Sequence, residues 1–456
     1  MSTIIIAPAE NVFATIYGHL LPEVVLNSAP GWRLDPAFIE EVAAVTAEVV
    51  RTGRCAVPAN GADAVSQREM LATASGIDRA FAEIHPRTGS RLSPAGLRDA
   101  RARHSRFGRY NDQADAYLVL PRLAHPERDE QAPDRLDLLF GSLLLVDQAF
   151  ANRARHVPIP LSSRVDHESR ARGLVVSCVP FLDDPDEVEW GYPVKDGLAY
   201  YSIEVRDTPA LSERATSVGR ALAVAETDLV VMPEATNSDT LQDHWTTTAA
   251  QAVADGAPLR WVFAGTGDLH GPDHPGANTR VNEGWLFDAA TGDVLIRARK
   301  GHRFDVTAEL VSKGYPLVGA PPEPLLREDI HVGSQPVIAE MGSIRLAILI
   351  CEDLARLEDL LSVTFAFGVS HVLAPVFSKP TAPHRWEQAK GSAHAEGCGT
   401  TVVVANSLLL GRLVKATGRL PASLVVNPHG CEAAGATDAS DLATYRLRDT
   451  AKPELL

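Results

Sequence analysis

The sequence predicts an α/β domain preceded by a mainly helical region, and three observations support this prediction. From residue 174 onwards, short apolar runs of strand length alternate with helical patterns, which is typical of a layered α/β domain of about 280 residues. Before residue 157, apolar positions recur at helical spacing between polar, proline-containing connections. The chain has 456 residues, more than a single hydrophobic core usually serves. We therefore expect a mainly helical region at 1–156, a linker at 157–173 and the α/β domain at 174–456.

Helix signals are clearest in the first region. Asp35 as N-cap and Pro36 at the first helical position open a helix that ends at Gly53. Ser93 and Pro94 provide the same two helix-start signals and predict a helix that ends near residue 108. Apolar periodicity predicts further helices at 64–84 and 134–155.

Strand signals dominate the second region. Thr208 and Pro209 open a helix there, and another helical pattern covers 352–361. The predicted strands are 174–179, 228–232, 259–264, 284–287, 294–298, 344–350, 371–375, 400–405 and 423–427.

Composition and charge exclude several classes of protein. The chain is 45% hydrophobic and 22% charged, as in ordinary soluble globular proteins. Its 58 acidic and 43 basic residues give a net charge of -15, which repels nucleic acids and anionic membranes. The start lacks a signal-peptide pattern and no long apolar span occurs, so we expect a cytoplasmic protein. Five cysteines without CxxC spacing argue against disulfides or a zinc site and indicate reduced thiols, any one of which can be a nucleophile.

Three apolar runs end on, or shortly before, chemically capable residues. Glu234 follows the first run, Lys300 follows the second and Cys351 follows the third. A carboxylate, an amine and a thiol delivered from the ends of buried strands are sufficient for covalent acyl chemistry. Each residue alone is more often structural than catalytic, so the prediction depends on whether the three meet.

Cys351 lies where a strand pattern stops and a helical pattern begins. A thiol on such a bend is accessible, and the amides that follow it can face a developing oxyanion. Glu352 and Asp353 come next, and their charges should raise the pKa of the thiol. The thiol therefore needs a base and a cation. Glu234 can accept its proton, and Lys300 can stabilise both the thiolate and the oxyanion.

The order and surroundings of these residues resemble the nitrilase, or carbon–nitrogen hydrolase, superfamily. The motifs are Asp-Leu-Val-Val-Met-Pro-Glu at 228–234, Gly-Asp-Val-Leu-Ile-Arg-Ala-Arg-Lys-Gly-His at 292–302 and Arg-Leu-Ala-Ile-Leu-Ile-Cys-Glu-Asp-Leu at 345–354. The third is similar to the cysteine motif in the glutaminase domains of NAD synthetases. Supporting matches are Asn282, Glu358, a helix at 386–396 and the run 423–430. The resemblance spans about 174–427 and leaves the helical region unexplained.

The resemblance implies an α-β-β-α four-layer sandwich with a Glu-Lys-Cys triad, no metal, no organic cofactor and a tendency to form dimers. Carried onto this chain, Glu234 is the general base, Lys300 the cation that stabilises the oxyanion and Cys351 the nucleophile that forms a thioester. The backbone N–H of Glu352 completes the oxyanion site. Water activated by Glu234 then releases the acid.

The family also has a second glutamate near the lysine, before a glycine that opens the next strand. Glu328, in the run Arg-Glu-Asp-Ile-His-Val-Gly at 327–333, has that placement, and Glu309 is the competitor nearer to Lys300. The spacing of 28 residues from Lys300 to Glu328 is long. We therefore expect 305–326 to be an inserted loop at the mouth of the pocket.

Two weaker signals have alternative interpretations. Asp268, His270 and His274 offer groups that can ligate a metal, but the glycines and prolines around them favour a polar surface turn. Five arginines between residues 98 and 109 form the most basic patch. A solvated helix face, or a contact with the acidic run 183–189, is favoured there over a polynucleotide site.

The leading hypothesis is a thiol hydrolase of non-peptide carbon–nitrogen bonds, an amidase acting on a small carboxamide or carbamoyl compound. A nitrilase that works through a thioimidate uses the same triad and is an alternative, as is a non-catalytic interaction or regulatory protein on the same fold. Arg299 and Leu357 stand where the family usually has an aromatic residue and a proline, so its substrate is not carried over. The expected partner is a small-molecule substrate, with no nucleic acid and no membrane.

Overall fold

The computed structural model describes residues 6–84, 118–123, 136–159, 173–276, 279–313, 315–341, 344–381, 385–448 and 451–456. The chain divides into two compact units, one of Met1–Arg153 with Ala366–Gly368 and the other of Ala154–Phe365 with Val369–Leu456. Within the ranges described, no helix combines the length and the apolar character needed to cross a bilayer.

The first unit is mainly helical over its described residues. Its elements are helices α1 (Ala9–His19), α2 (Pro22–Trp32), α3 (Pro36–Thr52), α4 (Ala64–Ile84) and α5 (Gln148–Ala151), and strands β1 (Ile6–Pro8), β2 (Arg54–Ala56), β3 (Leu118–Pro121) and β4 (Leu143–Val146). Both signals that predicted α3 are confirmed, because the Asp35 carboxylate accepts a hydrogen bond from the Ala37 amide and Gly53 ends the helix at a φ of 72°. The rings of Phe13 and Phe140 meet edge to face in the core, with centroids 5.0 Å apart.

The helix predicted at 134–155 is wrong. The segment instead contains a 3₁₀ turn (Leu136–Leu139), then β4, α5 and the start of strand β5 (Arg155–Pro158). Asp78, on α4, accepts hydrogen bonds from three consecutive amides, those of Gly141, Ser142 and Leu143. Strand β4 then pairs antiparallel with β3. Because long-range partners satisfy these backbone groups, an apolar run with helical spacing folds as a strand.

Three expectations fall wholly or largely on residues outside the described ranges. They are the helix ending near residue 108, the arginine patch between residues 98 and 109, and the linker at 157–173, of which 157–159 and Gly173 are described. Residues 157 and 158 belong to strand β5, which joins a sheet of the second unit.

The second unit is α/β, as predicted. Its helices are α6 (Pro209–Val224), α7 (Asp239–Ala254), α8 (Ala308–Ser312), α9 (Glu352–Ala355), α10 (Leu357–Ala366), α11 (Trp386–Cys398) and α12 (Leu409–Leu413). Its strands after β5 are β6 (Leu174–Cys178), β7 (Val188–Gly191), β8 (Val194–Lys195), β9 (Leu198–Val205), β10 (Leu229–Val231), β11 (Trp261–Gly267), β12 (Glu283–Asp288), β13 (Val294–Arg299), β14 (Val306–Thr307), β15 (Leu325–Glu328), β16 (Val337–Met341), β17 (Ile344–Ile348), β18 (His371–Val376), β19 (Thr401–Asn406), β20 (Leu420–Asn427), β21 (Gly430–Ala436), β22 (Ala443–Arg448) and β23 (Ala451–Leu455).

Two seven-stranded sheets form the centre of this unit. The first has the order β13-β12-β11-β10-β6-β22-β23, and the second has the order β21-β20-β19-β18-β17-β16-β5. In the first sheet β6, β10 and β11 are parallel, and in the second β17, β18 and β19 are parallel. In a further sheet, of order β14-β15-β9-β7, two strands from the segment between β13 and β16 lie beside two strands from the segment between β6 and β10.

Helices cover the first sheet, and the two large sheets contact each other. Val218 of α6 and Trp245 of α7 share an apolar core with Val230 and Val262 of the first sheet. Between the sheets, the hydroxyl groups of Ser423 on β20 and Tyr445 on β22 are 2.7 Å apart. Helix α11 packs on β19 and β20 of the second sheet. Catalytically capable residues at the ends of strands in both sheets can therefore meet.

A buried ionic group in the second sheet predicts how stability depends on pH. Glu340 on β16 lies 3.3 Å from the Arg345 guanidinium and 3.2 Å from the His156 ring. Burial raises the pKa of Glu340, but Arg345 and His156 outweigh burial and lower it to about 2. Its stabilising effect is therefore complete above the unfolded value of about 4.3, and is lost as the pH falls towards 2.

We expect Glu340→Gln to lower the free energy of unfolding by roughly 3 kcal/mol at neutral pH, because it leaves a buried cation without its carboxylate. The difference from wild type should shrink as the pH falls towards 2, where Glu340 itself is protonated. Urea midpoints across this pH range measure the effect. Glu432→Gln, which removes an exposed pair with Lys452, is the matched control and should leave the midpoint almost unchanged. A pH-independent difference would contradict the prediction.

Candidate active site

Glu234 reaches the site from the end of β10. Val230 and Val231 are fully buried, and the strand ends at Val231, three residues before the buried Glu234. The next residue, Ala235, has a φ of 57°, a sharp bend for a residue other than glycine. The side chain of Glu234 is thereby held in a buried position.

Lys300 follows β13 and is held opposite Asn282 by the β12–β13 hairpin. The antiparallel register pairs Glu283 with Arg299, and the Lys300 amide donates to the Asn282 carbonyl at 2.8 Å. Lys300 is only 1% exposed. Its Nζ lies 2.7 Å from Glu234 Oε1, so the predicted base and cation form a buried ion pair.

Glu328 completes an ion triad with Lys300. It ends β15, and both of its carboxylate oxygens accept from Lys300 Nζ, at 2.9 and 2.8 Å. Its Oε2 also accepts from the Phe304 amide at 2.8 Å. Glu309 is exposed on α8 and pairs with Lys313 instead. Of the two candidates for the second glutamate, the structure brings Glu328 to the lysine.

Cys351 stands on a strained bend between β17 and α9. Its φ of 48° and ψ of −100° lie outside the regions that residues other than glycine normally adopt. The Cys351 amide donates to the Pro375 carbonyl at 2.9 Å, which fixes the bend against the neighbouring strand. The Cys351 side chain lines the same pocket as Glu234 and Lys300, and the charges of both residues act on the pKa of its thiol. Nucleophile, base and cation are therefore in one cluster.

The protonation states follow from burial and from this cluster. Burial, and then the charge of Glu234, raise the pKa of Cys351 well above its usual value, although Lys300 and the Phe377 amide oppose them. Burial lowers the pKa of Lys300, but Glu234 and Glu328 outweigh it and hold that pKa well above its usual value. Burial likewise raises the pKa of Glu328, against the effect of Lys300. The resting site thus contains a neutral thiol beside a charged ammonium.

The two acids after Cys351 have roles that the sequence did not predict. The leading causes of the raised thiol pKa are burial and Glu234, and neither Glu352 nor Asp353 is among them. Asp353 instead accepts hydrogen bonds from the Gly301 amide, at 3.1 and 3.0 Å, and lies 2.8 Å from His302 Nδ1. It therefore ties the bend that carries the nucleophile to the loop that carries Lys300.

The cluster borders a pocket of about 580 Å³, including its open mouth. Aromatic side chains form much of its wall, those of Tyr201, Phe304, Tyr315 and Phe377. Arg280, Glu204 and Asp329 supply charged groups on the same wall. The predicted inserted segment 305–326 reaches the pocket through Tyr315, whose ring packs near that of Phe304.

Several functional groups of this site were not assigned from the sequence. Asn282 Nδ2 donates to Glu234 at 2.8 Å and to Glu328 at 3.3 Å, so it bridges the two carboxylates. The Phe304 and Phe377 amides are backbone groups, and no side-chain pattern could have identified them. The sequence marked Asn282 as a match to the family but gave it no role, and the pairing of β12 with β13 places it opposite Lys300.

The three residues that could ligate a metal lie at the rim of the same pocket. Asp268, His270 and His274 each place a ligand atom within 4.8 Å of the others. Asp268 also lines the pocket. The three residues that the sequence suggested are therefore together in space.

Thiol labelling tests the charges assigned to the cluster. Iodoacetamide should modify Cys351, which lines the pocket, before Cys178, which is buried in the first sheet and whose pKa burial raises to about 12. The rate should rise with pH as the thiolate fraction grows. Glu234→Gln removes a negative charge that raises the thiol pKa, so the rise of the labelling rate with pH should shift to lower pH. Peptide mass spectrometry measures the rate against pH for both proteins, and a profile that does not shift, or shifts to higher pH, would contradict the assignment.

Comparison with known proteins gives matches among solved structures. No protein-family model and no curated protein matches the sequence. A variant of the amidase from Nesterenkonia sp. AN1, with the acetamide moiety of fluoroacetamide added covalently at its active-site cysteine, is 17% identical, and the match covers 64% of this chain and 94% of the amidase at a TM-score of 0.36. Saccharomyces cerevisiae Nit3, from branch 10 of the nitrilase superfamily, is 18% identical, with 61% and 90% covered at a TM-score of 0.38.

The glutamine-dependent NAD+ synthetase from Acinetobacter baumannii is also similar, at 15% identity and a TM-score of 0.39. That match covers 62% of this chain and 47% of the synthetase, so the chain spans about half of that protein's length. The chemistry assigned to the site rests on its own residues and distances.

Proposed function

We propose that this protein is a cysteine-dependent hydrolase of non-peptide carbon–nitrogen bonds, an amidase acting on a small carboxamide or carbamoyl compound. One observation carries the proposal: the thiol of Cys351, the carboxylate of Glu234 and the ammonium of Lys300 line one pocket, and Glu234 pairs with Lys300 at 2.7 Å. This arrangement supplies a nucleophile, a base and a cation for acyl transfer.

The first step is attack of Cys351 Sγ on the substrate carbonyl carbon. The thiol is neutral at rest because its pKa is raised by burial and by Glu234, so it must lose its proton as the new bond forms. Glu234, which lines the pocket together with Cys351, accepts that proton. The developing oxyanion is stabilised by Lys300 Nζ and by the backbone N–H of Glu352. As the first residue of α9, Glu352 has no carbonyl partner for this amide within the helix.

Collapse of the tetrahedral intermediate breaks the carbon–nitrogen bond. Protonated Glu234 gives its proton to the leaving nitrogen, which departs as ammonia or an amine and leaves a thioester on Cys351. Water then enters, Glu234 removes its proton, and the attack on the thioester breaks the carbon–sulfur bond and releases the acid. Glu234 returns the proton to the departing sulfur, which restores the thiol and the carboxylate. One carboxylate thus acts as base and acid in each half of the reaction.

Glu328 and Asn282 have a positioning role in this proposal. Lys300 pairs with both glutamates, and the second pair keeps the ammonium charged and in place when Glu234 becomes protonated. Asn282 donates to both carboxylates, which fixes their separation across the ammonium. Aromatic side chains give the pocket an apolar wall, and Arg280 and Asp329 give it a polar end.

An ammonia-release screen over amides, carbamoyl compounds and nitriles tests the activity. At least one amide or carbamoyl compound should release ammonia, and Cys351→Ala should reduce the rate by at least about 10³-fold because the nucleophile is lost. Intact mass after rapid quenching should show the acyl group on the wild type alone. If only nitriles were turned over, the protein would be a nitrilase and not an amidase. If Cys351→Ala were as active as the wild type, the proposal of a cysteine-dependent hydrolase would be wrong.

Two glutamate variants test the role of Glu328. Glu328→Gln removes a carboxylate from buried Lys300 and should lower kcat/KM by about 10²- to 10³-fold. Glu309→Gln makes the same chemical change on an exposed residue and should leave kcat/KM within about twofold. Because the pKa of Glu328 is raised, wild-type activity should fall on acidification already above the ordinary carboxyl range. Equal effects of the two variants would show that Glu328 does not support the lysine.

A further inference from the structure

The loop between β11 and β12 carries a cluster of ligand atoms that the proposed hydrolysis does not use. It consists of Asp268, His270 and His274, whose side chains each place one nitrogen or oxygen within 4.8 Å of the others. We propose that this cluster is a binding site for a divalent transition-metal ion, with Zn²⁺ as the preferred occupant and water completing the coordination. The site is separate from the Cys351 cluster, and the proposal does not depend on the amidase reaction.

The spacing of two of the ligand atoms already suits zinc. His274 Nε2 and Asp268 Oδ1 are 3.3 Å apart. Two ligands bonded at about 2.0–2.1 Å in a tetrahedron stand about 3.3 Å from each other. The imidazole rings of His270 and His274 lie face to face with centroids 4.3 Å apart, so a small movement of either ring brings both to one ion.

Asp239 orients the His270 ring so that its other nitrogen can bind a metal. This first residue of α7 accepts a hydrogen bond from the His270 amide at 2.9 Å through Oδ1, and its Oδ2 lies 2.8 Å from the ring Nδ1. The carboxylate holds the ring proton on Nδ1 and leaves the lone pair on Nε2 available. A carboxylate behind a histidine in this way is the usual outer partner of a metal-bound imidazole.

The donor set selects the class of ion. Two imidazoles and one carboxylate suit Zn²⁺ and its transition-metal neighbours, whereas Ca²⁺ and Mg²⁺ prefer oxygen ligands. The His270 side chain is 54% exposed while that of His274 is 7% exposed, so the ion would sit at the surface with one face open to water. The net charge of -15 also favours a cation.

Metal binding would require one local rearrangement. The Gly276 amide donates to His274 Nδ1 at 3.2 Å, whereas a metal on Nε2 places the ring proton on Nδ1. Gly276 has a φ of 121°, which is open to glycine, so this amide can turn away at little cost. Only the loop has to adjust.

The ion would stabilise the loop that leads into the active site. Asp268 Oδ1 accepts from the Val281 amide at 2.9 Å, and the next residue is Asn282, which bridges Glu234 and Glu328. A metal on Asp268 would therefore fix the rim of the pocket without touching the reacting groups.

Zinc titration of the tag-free chain carrying Cys351→Ala tests the site, because the catalytic thiol is then unable to bind the metal. After removal of metal with a chelator, calorimetry should find one equivalent bound, and Co²⁺ should give the visible spectrum of a tetrahedral site. His274→Ala and Asp268→Asn should each weaken binding by more than about 100-fold. Asp239→Asn keeps all three ligands and should weaken it by about 10- to 100-fold through loss of the outer carboxylate.

The matched control is Asp273→Asn, which changes the same charge in the same loop. Its carboxylate is outside the cluster and its carbonyl, which binds Arg299, is preserved, so Zn²⁺ affinity should equal that of the parent. Circular dichroism of the metal-free variants checks their folding. If a ligand variant fails to fold, the Zn²⁺ affinity of Asp239→Asn is the deciding measurement. Absence of a bound equivalent, or binding that survives His274→Ala, would overturn the proposal.

Discussion

The buried ammonium of Lys300, held between the carboxylates of Glu234 and Glu328, is the interaction on which the rest of the site depends. An isolated charge that is 1% exposed would carry a large desolvation cost, and the two carboxylates offset this cost so that the lysine stays charged. The three residues end or follow β10, β13 and β15, and these strands belong to two different sheets. Both the burial of apolar side chains and the pairing of charges therefore fix the register of each strand. A slip of one residue would move a charge away from its partner.

The reactivity of Cys351 is a property of this ion triad rather than of the local sequence. Burial and Glu234 make the thiolate unfavourable, and Lys300 and the Phe377 amide make it less so. A neutral thiol beside a charged base and a charged cation is set to ionise only as it attacks, which protects the sulfur between turnovers. Cys351 lines the pocket from a bend with a strained φ of 48°, and the hydrogen bond from the Cys351 amide to the Pro375 carbonyl holds that bend.

The parts that sequence could predict are those fixed by short-range patterns. The apolar runs located β10, β13 and β17, and a reactive residue after each identified Glu234, Lys300 and Cys351. Asn282 and the amide of Phe377 depend on which strands pair and in what register, which one sequence does not specify. The prediction of a helix at 134–155 is wrong for the same reason, since the structure there depends on a distant partner. Asp78, more than sixty residues away in the chain, accepts hydrogen bonds from amides that a helix would have used.

Contacts between loops extend this dependence beyond the triad. Asp353 binds the Gly301 amide, so the bend that holds the nucleophile and the loop that holds Lys300 move together. On the opposite flank, Asp268 binds the Val281 amide and thereby positions Asn282. Neither carboxylate is on a strand, because Asp353 is in the short helix α9 and Asp268 lies on the loop after β11. Since each carboxylate orders a backbone segment next to a catalytic group, the precision of the site is set by the segments between the strands as much as by the sheets.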